Sequence, residues 1–111
     1  MDFQAENKKG YTVIKTSVEK LNATNAPDLK AVLVRINNDS VNNVILDLSG
    51  VKYCDSSGLS AILTGNRLCK NSNGKFTICN LSPTVLKMIE IAQLHRVLNI
   101  VKDLEAAKKE F

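Results

Sequence analysis

Tryptophan is absent from these 111 residues, histidine occurs once, and two prolines and five glycines are too few for a proline- or glycine-rich segment. No apolar run approaches the ~18 residues that a membrane-spanning helix needs, and residues 1–9 lack the apolar stretch of a secretory leader. A cytoplasmic protein with no membrane insertion is therefore expected. Cys54, Cys69 and Cys79 are odd in number, far apart and without a C-x-x-C pair. That spacing makes a poor disulfide framework and a poor metal site, so no metal ligand is expected. Each sits among apolar or small residues and reads as a buried thiol in a reducing compartment. A phosphate-cradling G-x-x-x-x-G-K loop is missing, and no cofactor is expected.

Arginine is also scarce. Formal net charge is +4, yet only Arg35, Arg67 and Arg96 could make forked contacts to phosphates or bases; the other basic residues are lysines scattered from Lys8 to Lys109. The five aromatics (Phe3, Tyr11, Tyr53, Phe76, Phe111) are dispersed and form no stacking platform. A solvated lysine-rich surface without direct nucleic-acid binding is the better reading. A composition of 44% hydrophobic and 23% charged residues is that of a globular chain. At this length folding should leave roughly 6,000 Å² exposed and bury about two-thirds of the unfolded surface, which suffices for one core. One domain over residues 1–111 is expected.

Glycine and proline punctuate short segments. Residues 11–18 are β-branched and aromatic with rough alternation, as in a strand. The polar stretch 22–25 offers capping side chains and Pro27 suits a first helical position, with Leu29, Val32, Leu33 and Ile36 at helical spacing behind it. Residues 44–48 form a short apolar run that fits a central strand buried on both faces. A second helix is predicted from Asp55-Ser56-Ser57 to about Asn71, with Leu59 and Leu63 on its buried face. A strand over 76–79, a third helix opened by Ser82-Pro83, a strand over 97–101 and a last amphipathic helix with Leu104, Ala107 and Phe111 follow. The alternation implies an α/β domain: a mixed, largely parallel sheet of about four to five strands with about four helices.

In such sheets function gathers where strands end and helices begin. Residues 51–59 lie at one such junction and carry the chain's only unusual local pattern, Asp55-Ser56-Ser57-Gly58-Leu59. A helix start has unpaired N–H groups and a positive dipole end. Serines there can cap the helix, or accept a phosphoryl group whose charge the helix favours. A hydrolase nucleophile does not fit: the G-x-S-x-G elbow is absent around both serines, and His95 alone supplies no positioned base and orienting group. No catalytic residue is assigned, and an enzyme is not expected.

The segment 44–59, VILDLSGVKYCDSSGL, resembles the signature of the STAS family, the sulfate transporter and anti-sigma factor antagonist domain. The likeness continues through the turn at Gly74, the strand over 76–79 and Leu81-Ser82-Pro83-Thr84-Val85, and covers roughly residues 11–110. It implies an anti-sigma factor antagonist: a protein that binds an anti-sigma factor with a histidine-kinase-like ATPase fold, itself a serine kinase, and so releases a sigma factor. It further implies that the second serine of the motif, Ser57, is the phosphoacceptor, that phosphorylation breaks the complex, and that a serine phosphatase resets it. The expected partner surface is Asn22, Thr24, Asn25, Asp55, Ser56 and Gly58, with the missing side chain of Gly58 admitting a partner's backbone. The family's Gly-Glu-Leu-Asp before the first helix reads Glu19-Lys20-Leu21-Asn22 here, so a neutral Asn22 stands where the family has an acid. The same family resemblance also implies two other roles, a STAS subunit of a membrane transport assembly and a stress-signalling scaffold.

Overall fold

The computed structural model describes residues 2–111. Its main sheet has five strands in the order β1-β2-β4-β6-β7. These are β1 (Phe3–Lys8), β2 (Tyr11–Thr16), β4 (Val44–Asp47), β6 (Phe76–Cys79) and β7 (Asn99–Ile100). β1 runs antiparallel to β2 through the Gly10 turn; every other pairing in this sheet is parallel. A second, two-residue parallel ladder joins β3 (Lys20–Leu21) to β5 (Tyr53–Cys54). The helices are α1 (Ala26–Asn38), α2 (Ser56–Asn71), α3 (Pro83–Ile91) and α4 (Leu104–Lys108).

β4 is buried at all four positions because it has a strand on either side and packing on both faces. On one face Ile14, Leu46 and Ile78 meet Leu29, Val32, Leu33 and Ile36 of α1, Ala61 and Ile62 of α2, and Val85 and Ile89 of α3. On the other, Val13, Ile45 and Cys79 lie under Ala107 and Leu104 of the short α4. The exposed surface is 6023 Å², close to that expected for one core at this length. All three cysteines are free and buried. Burial pushes the Cys54 thiol up to about 12, helped by the Asp55 charge, and Cys69 to about 11. Burial does the same to Cys79, to about 12, with Asp47 and Asp103 adding to it. As neutral, poorly nucleophilic thiols they are packing residues.

Three sequence expectations are revised. The strand β1 falls on a segment to which no element was given: only Phe3 and Ala5 turn apolar side chains inward, and Glu6 pairs with Lys8 and Lys15 on the outside. The strand expected over 97–101 shrinks to two residues, because a 3₁₀ turn over Leu94–Arg96 uses the chain before it. The last helix stops at Lys108, and Phe111 lies beyond it with its ring stacked 5.4 Å from that of Tyr11.

Candidate functional site

The small β3–β5 ladder brings two distant loops together. Leu21 pairs with Cys54, and the Asp55 N–H donates to the Leu21 carbonyl at 3.1 Å. The turn entering α1 therefore lies beside the start of α2, and the two helix N-termini share one groove.

At α2 the cap is Asp55, in extended backbone (φ −93°, ψ −172°), whose Oδ1 accepts from the Gly58 N–H at 3.0 Å. That satisfies one of the helix's orphan donors, and a side-chain cap is worth about 1 kcal/mol. With Asp55 as cap, Ser56 and Ser57 fall at the first two helical positions, and among the described residues neither hydroxyl has a hydrogen-bond partner. Ser56 is exposed and Ser57 half-buried. The groove beside them, about 290 Å³, is lined by Ser56, Ser57 and Ser60 from α2 and by Ala23, Ala26, Pro27 and Lys30 from the α1 side. Lys30 has no ion pair among the described residues, so a free ammonium shares the groove with the free hydroxyls. His95, on the 3₁₀ turn, does not line it.

The predicted partner residues divide. Thr24 is exposed on the turn. Asn22 and Asn25 hold that turn together: Asn22 Oδ1 accepts from the Thr24 N–H (3.0 Å), and Asn25 Oδ1 accepts from the Asn22 N–H (3.0 Å). The Asn25 amide donates to the Lys20 carbonyl (2.8 Å). The expected side-chain cap on α1 is therefore not made, and Pro27 is the second helical residue because Ala26 is the first. An aspartate at position 22 offers the same Oδ1, so the neutral Asn22 leaves the turn's bonding intact.

Gly58 serves a different purpose from the one expected. It is buried, and a Cβ there would come within 2.5 Å of the Leu21 carbonyl oxygen and 2.6 Å of Cys54 Sγ. The missing side chain admits this protein's own β3, not a partner. Leu59 and Leu63 are half-buried flanks; the inward face of α2 is Gly58, Ala61, Ile62, Gly65, Asn66 and Cys69. Sequence reasoning missed Lys30, Pro27, Ala26 and Ser60. Ser60 sits one turn beyond Ser56 and Ser57, and Lys30 one turn beyond Ala26 and Pro27, so helical spacing was the available signal.

The family model described as the STAS domain matches residues 2–107. BtrV of Bordetella bronchiseptica, a candidate anti-sigma factor antagonist, is 29% identical over 91 residues, covering 82% of this chain and 78% of that protein. The anti-sigma F factor antagonist of Paenibacillus polymyxa is 22% identical over 100 residues, covering 90% and 86%. Among solved structures, the anti-sigma factor antagonist SpoIIAA in its unphosphorylated form superposes with a TM-score of 0.81 at 22% identity, covering 97% of this chain and 93% of that one. The Bacillus cell fate determinant SpoIIAA in the phosphorylated form gives 0.75 at 22% identity, covering 98% and 99%.

Proposed function

Because this chain belongs to the STAS domain family, we propose that it acts as an anti-sigma factor antagonist whose grip on its partner is released by phosphorylation of Ser57. One observation carries the reading: Asp55 takes the helix cap, which leaves both serine hydroxyls unengaged at a positive helix end beside Lys30. The named relatives supply the class of partner, an anti-sigma factor. A partner with a histidine-kinase-like ATPase fold would supply ATP and the base, since neither Asp55 nor His95 lines the groove. In the transfer, Ser57 Oγ bonds to the γ-phosphorus, the β–γ anhydride breaks and ADP leaves, and the hydroxyl proton passes to the partner's base. A serine phosphatase would reverse the mark by hydrolysis. The chain itself acts as a binding protein and substrate.

Phosphoserine adds about −1.5 to −2 charges. A groove that had been covered by a partner must then desolvate or match that charge, and a mismatched interfacial charge costs several kcal/mol. Loss of about 4 kcal/mol turns a nanomolar complex into a micromolar one. The test is labelling with the cognate anti-sigma kinase, Mg²⁺ and ATP, alongside calorimetric binding. One phosphate on Ser57, none on Ser57→Ala, and binding weakened at least about 100-fold in Ser57→Asp are expected. A label on Ser56, or equal affinity of the Asp variant, would overturn the assignment.

A further inference from the structure

A second cleft, of about 350 Å³, opens away from the serine groove, where the C-terminal part of α2 meets the starts of β6 and β7. Asn66, Lys70, Lys75, Arg96 and Val97 are among the residues lining it. Asn66 is the anomaly. It stands in the middle of α2 on the inward face, only 8% exposed, and asparagine is a poor helix former. Its side chain makes no hydrogen bond among the described residues, and neither polar atom is sealed off, so the amide looks out into the cleft. With its donor and acceptor both unused by the protein, the amide can hydrogen-bond to what enters the cleft.

The charged residues that line the cleft are all basic. Lys70 and Arg96 have no ion pair among the described residues. Lys75 is compensated: Glu110 stands 3.1 Å from its Nζ, and the same carboxylate oxygen accepts from Thr77 Oγ1 and the Asn99 amide. Burial alone would raise the Glu110 carboxyl, but the hydrogen bonds from Lys75, Asn99 and Thr77, with the Lys75 charge, bring it below its ordinary value, so it stays ionised and occupied with that triad. The rim is fixed, since the Lys75 N–H donates to Asn43 Oδ1 at 2.9 Å and the Gly74 N–H to the Cys69 carbonyl at 2.7 Å. Val97, 48% exposed, adds an apolar wall.

From this arrangement we infer a binding site for a small phosphorylated molecule, its phosphate held between the Lys70 ammonium and the Arg96 guanidinium and hydrogen-bonded by the Asn66 amide. Arginine's fork fits two phosphate oxygens at once, and lysine adds a point charge. The volume lies within the range of small-molecule sites, and Val97 can cover an apolar part of the ligand. The site is independent of the serine groove and of the function proposed there.

The test is a titration of the isotope-labelled full chain followed by amide NMR, with inorganic phosphate as one probe and phenyl phosphate as the other. Inorganic phosphate should bind with a dissociation constant in the millimolar range, about −4 kcal/mol at 1 mM. The shifts should be confined to the Asn66 side chain and the backbone of residues 66–75 and 95–99. Asn66→Ala should weaken binding about tenfold while melting no lower than the parent. Arg96→Gln and Lys70→Gln, exposed and safe for folding, should each weaken it about two- to fivefold. Tighter binding of phenyl phosphate supports a phosphomonoester and equal binding supports the phosphate group alone; in both cases the site stands. No local shift, shifts spread over all surface lysines, or unchanged affinity in Asn66→Ala would overturn it.

Discussion

Two helix N-termini meet at the serine groove, and they are built differently from similar residues. At α2, one side chain makes the cap: Asp55 accepts from the Gly58 N–H, and the serine hydroxyls after it are left over. At α1, the two asparagines are spent before the helix begins, Asn22 and Asn25 tying the turn to itself and to Lys20. A polar helix start thus has spare chemistry only where a single residue completes the cap. The serines at α2 are available to react; the asparagines at α1 are structural.

The sharpest way to break that contrast is at Gly58. If it is the floor on which β3 rests, Gly58→Ala must push the new Cβ against the Leu21 carbonyl, a backbone atom that cannot rotate away. Overpacking of this kind costs about 1–3 kcal/mol, more than the roughly 1 kcal/mol that alanine gains over glycine in a helix. A net loss of up to about 2 kcal/mol, or as much as ~10 °C in melting temperature, is expected from thermal unfolding. Unchanged melting with weakened partner binding would return Gly58 to the partner surface.

Asp55 comes next. Asp55→Ala removes the only side-chain cap on α2 and should cost about 1 kcal/mol, seen as a melting temperature ~5 °C lower. Asp55→Asn and Asp55→Ser keep an acceptor and should recover most of it. Equal loss in all three would mean that charge, not the hydrogen bond to Gly58, holds the helix start.

These two residues also mark what was legible in the sequence. The central strand β4 and helices α1 to α3 follow from residues whose periodicity is dictated by burial, and Asp55 and Ser82 are caps because their side chains are short acceptors before an apolar stripe. The edge strand β1 was not legible, since an edge with one packed face carries charge to blunt it, and that charge conceals its alternation. Neither was the β3–β5 ladder, two residues long and defined only by the loops it joins. The serine pair stood out by local pattern, whereas the direction of Gly58 did not: a missing side chain is the same letter whether a partner or the protein's own strand fills the space. Asn66 and Lys30 are ordinary polar letters whose meaning comes from what lies across the groove.

On the α1 side the contrast predicts unequal losses within three residues. Asn25→Ala deletes one acceptor and one donor that hold the turn, and should cost about 0.5–1.5 kcal/mol. Asn22→Ala should cost less, because its single bond to the Thr24 N–H is exposed, and Asn22→Asp should be nearly neutral because the acceptor remains. Thr24→Ala should stay within about 0.5 kcal/mol while weakening partner binding. Chemical denaturation and calorimetric titration on the same samples would separate the two effects. If Thr24→Ala destabilised as much as Asn25→Ala, the turn would be one structural unit with no free face.

The smallest effect concerns phosphate on the free domain. A phosphoserine at position 57 would sit in the first turn of α2, where a negative charge is favoured by about 0.3–1 kcal/mol. Lys30 lines the same groove and adds a weak attraction, screened because the groove is open to water. Against these stands Asp55, two residues earlier and at the same helix end, whose like charge repels the phosphate by a comparable amount. The near cancellation leaves a change within about 0.5 kcal/mol, so melting curves of the unmodified and Ser57-phosphorylated domains in one buffer should differ by less than about 3 °C. Lowering the salt should move the balance only slightly, because attraction and repulsion are screened together. A switch of the proposed kind that leaves its own fold this little changed would act at the interface, by placing charge where the partner has none to match. A loss of several degrees on phosphorylation, with amide shifts running across β2, β4 and β6, would mean that the phosphate works through the sheet instead.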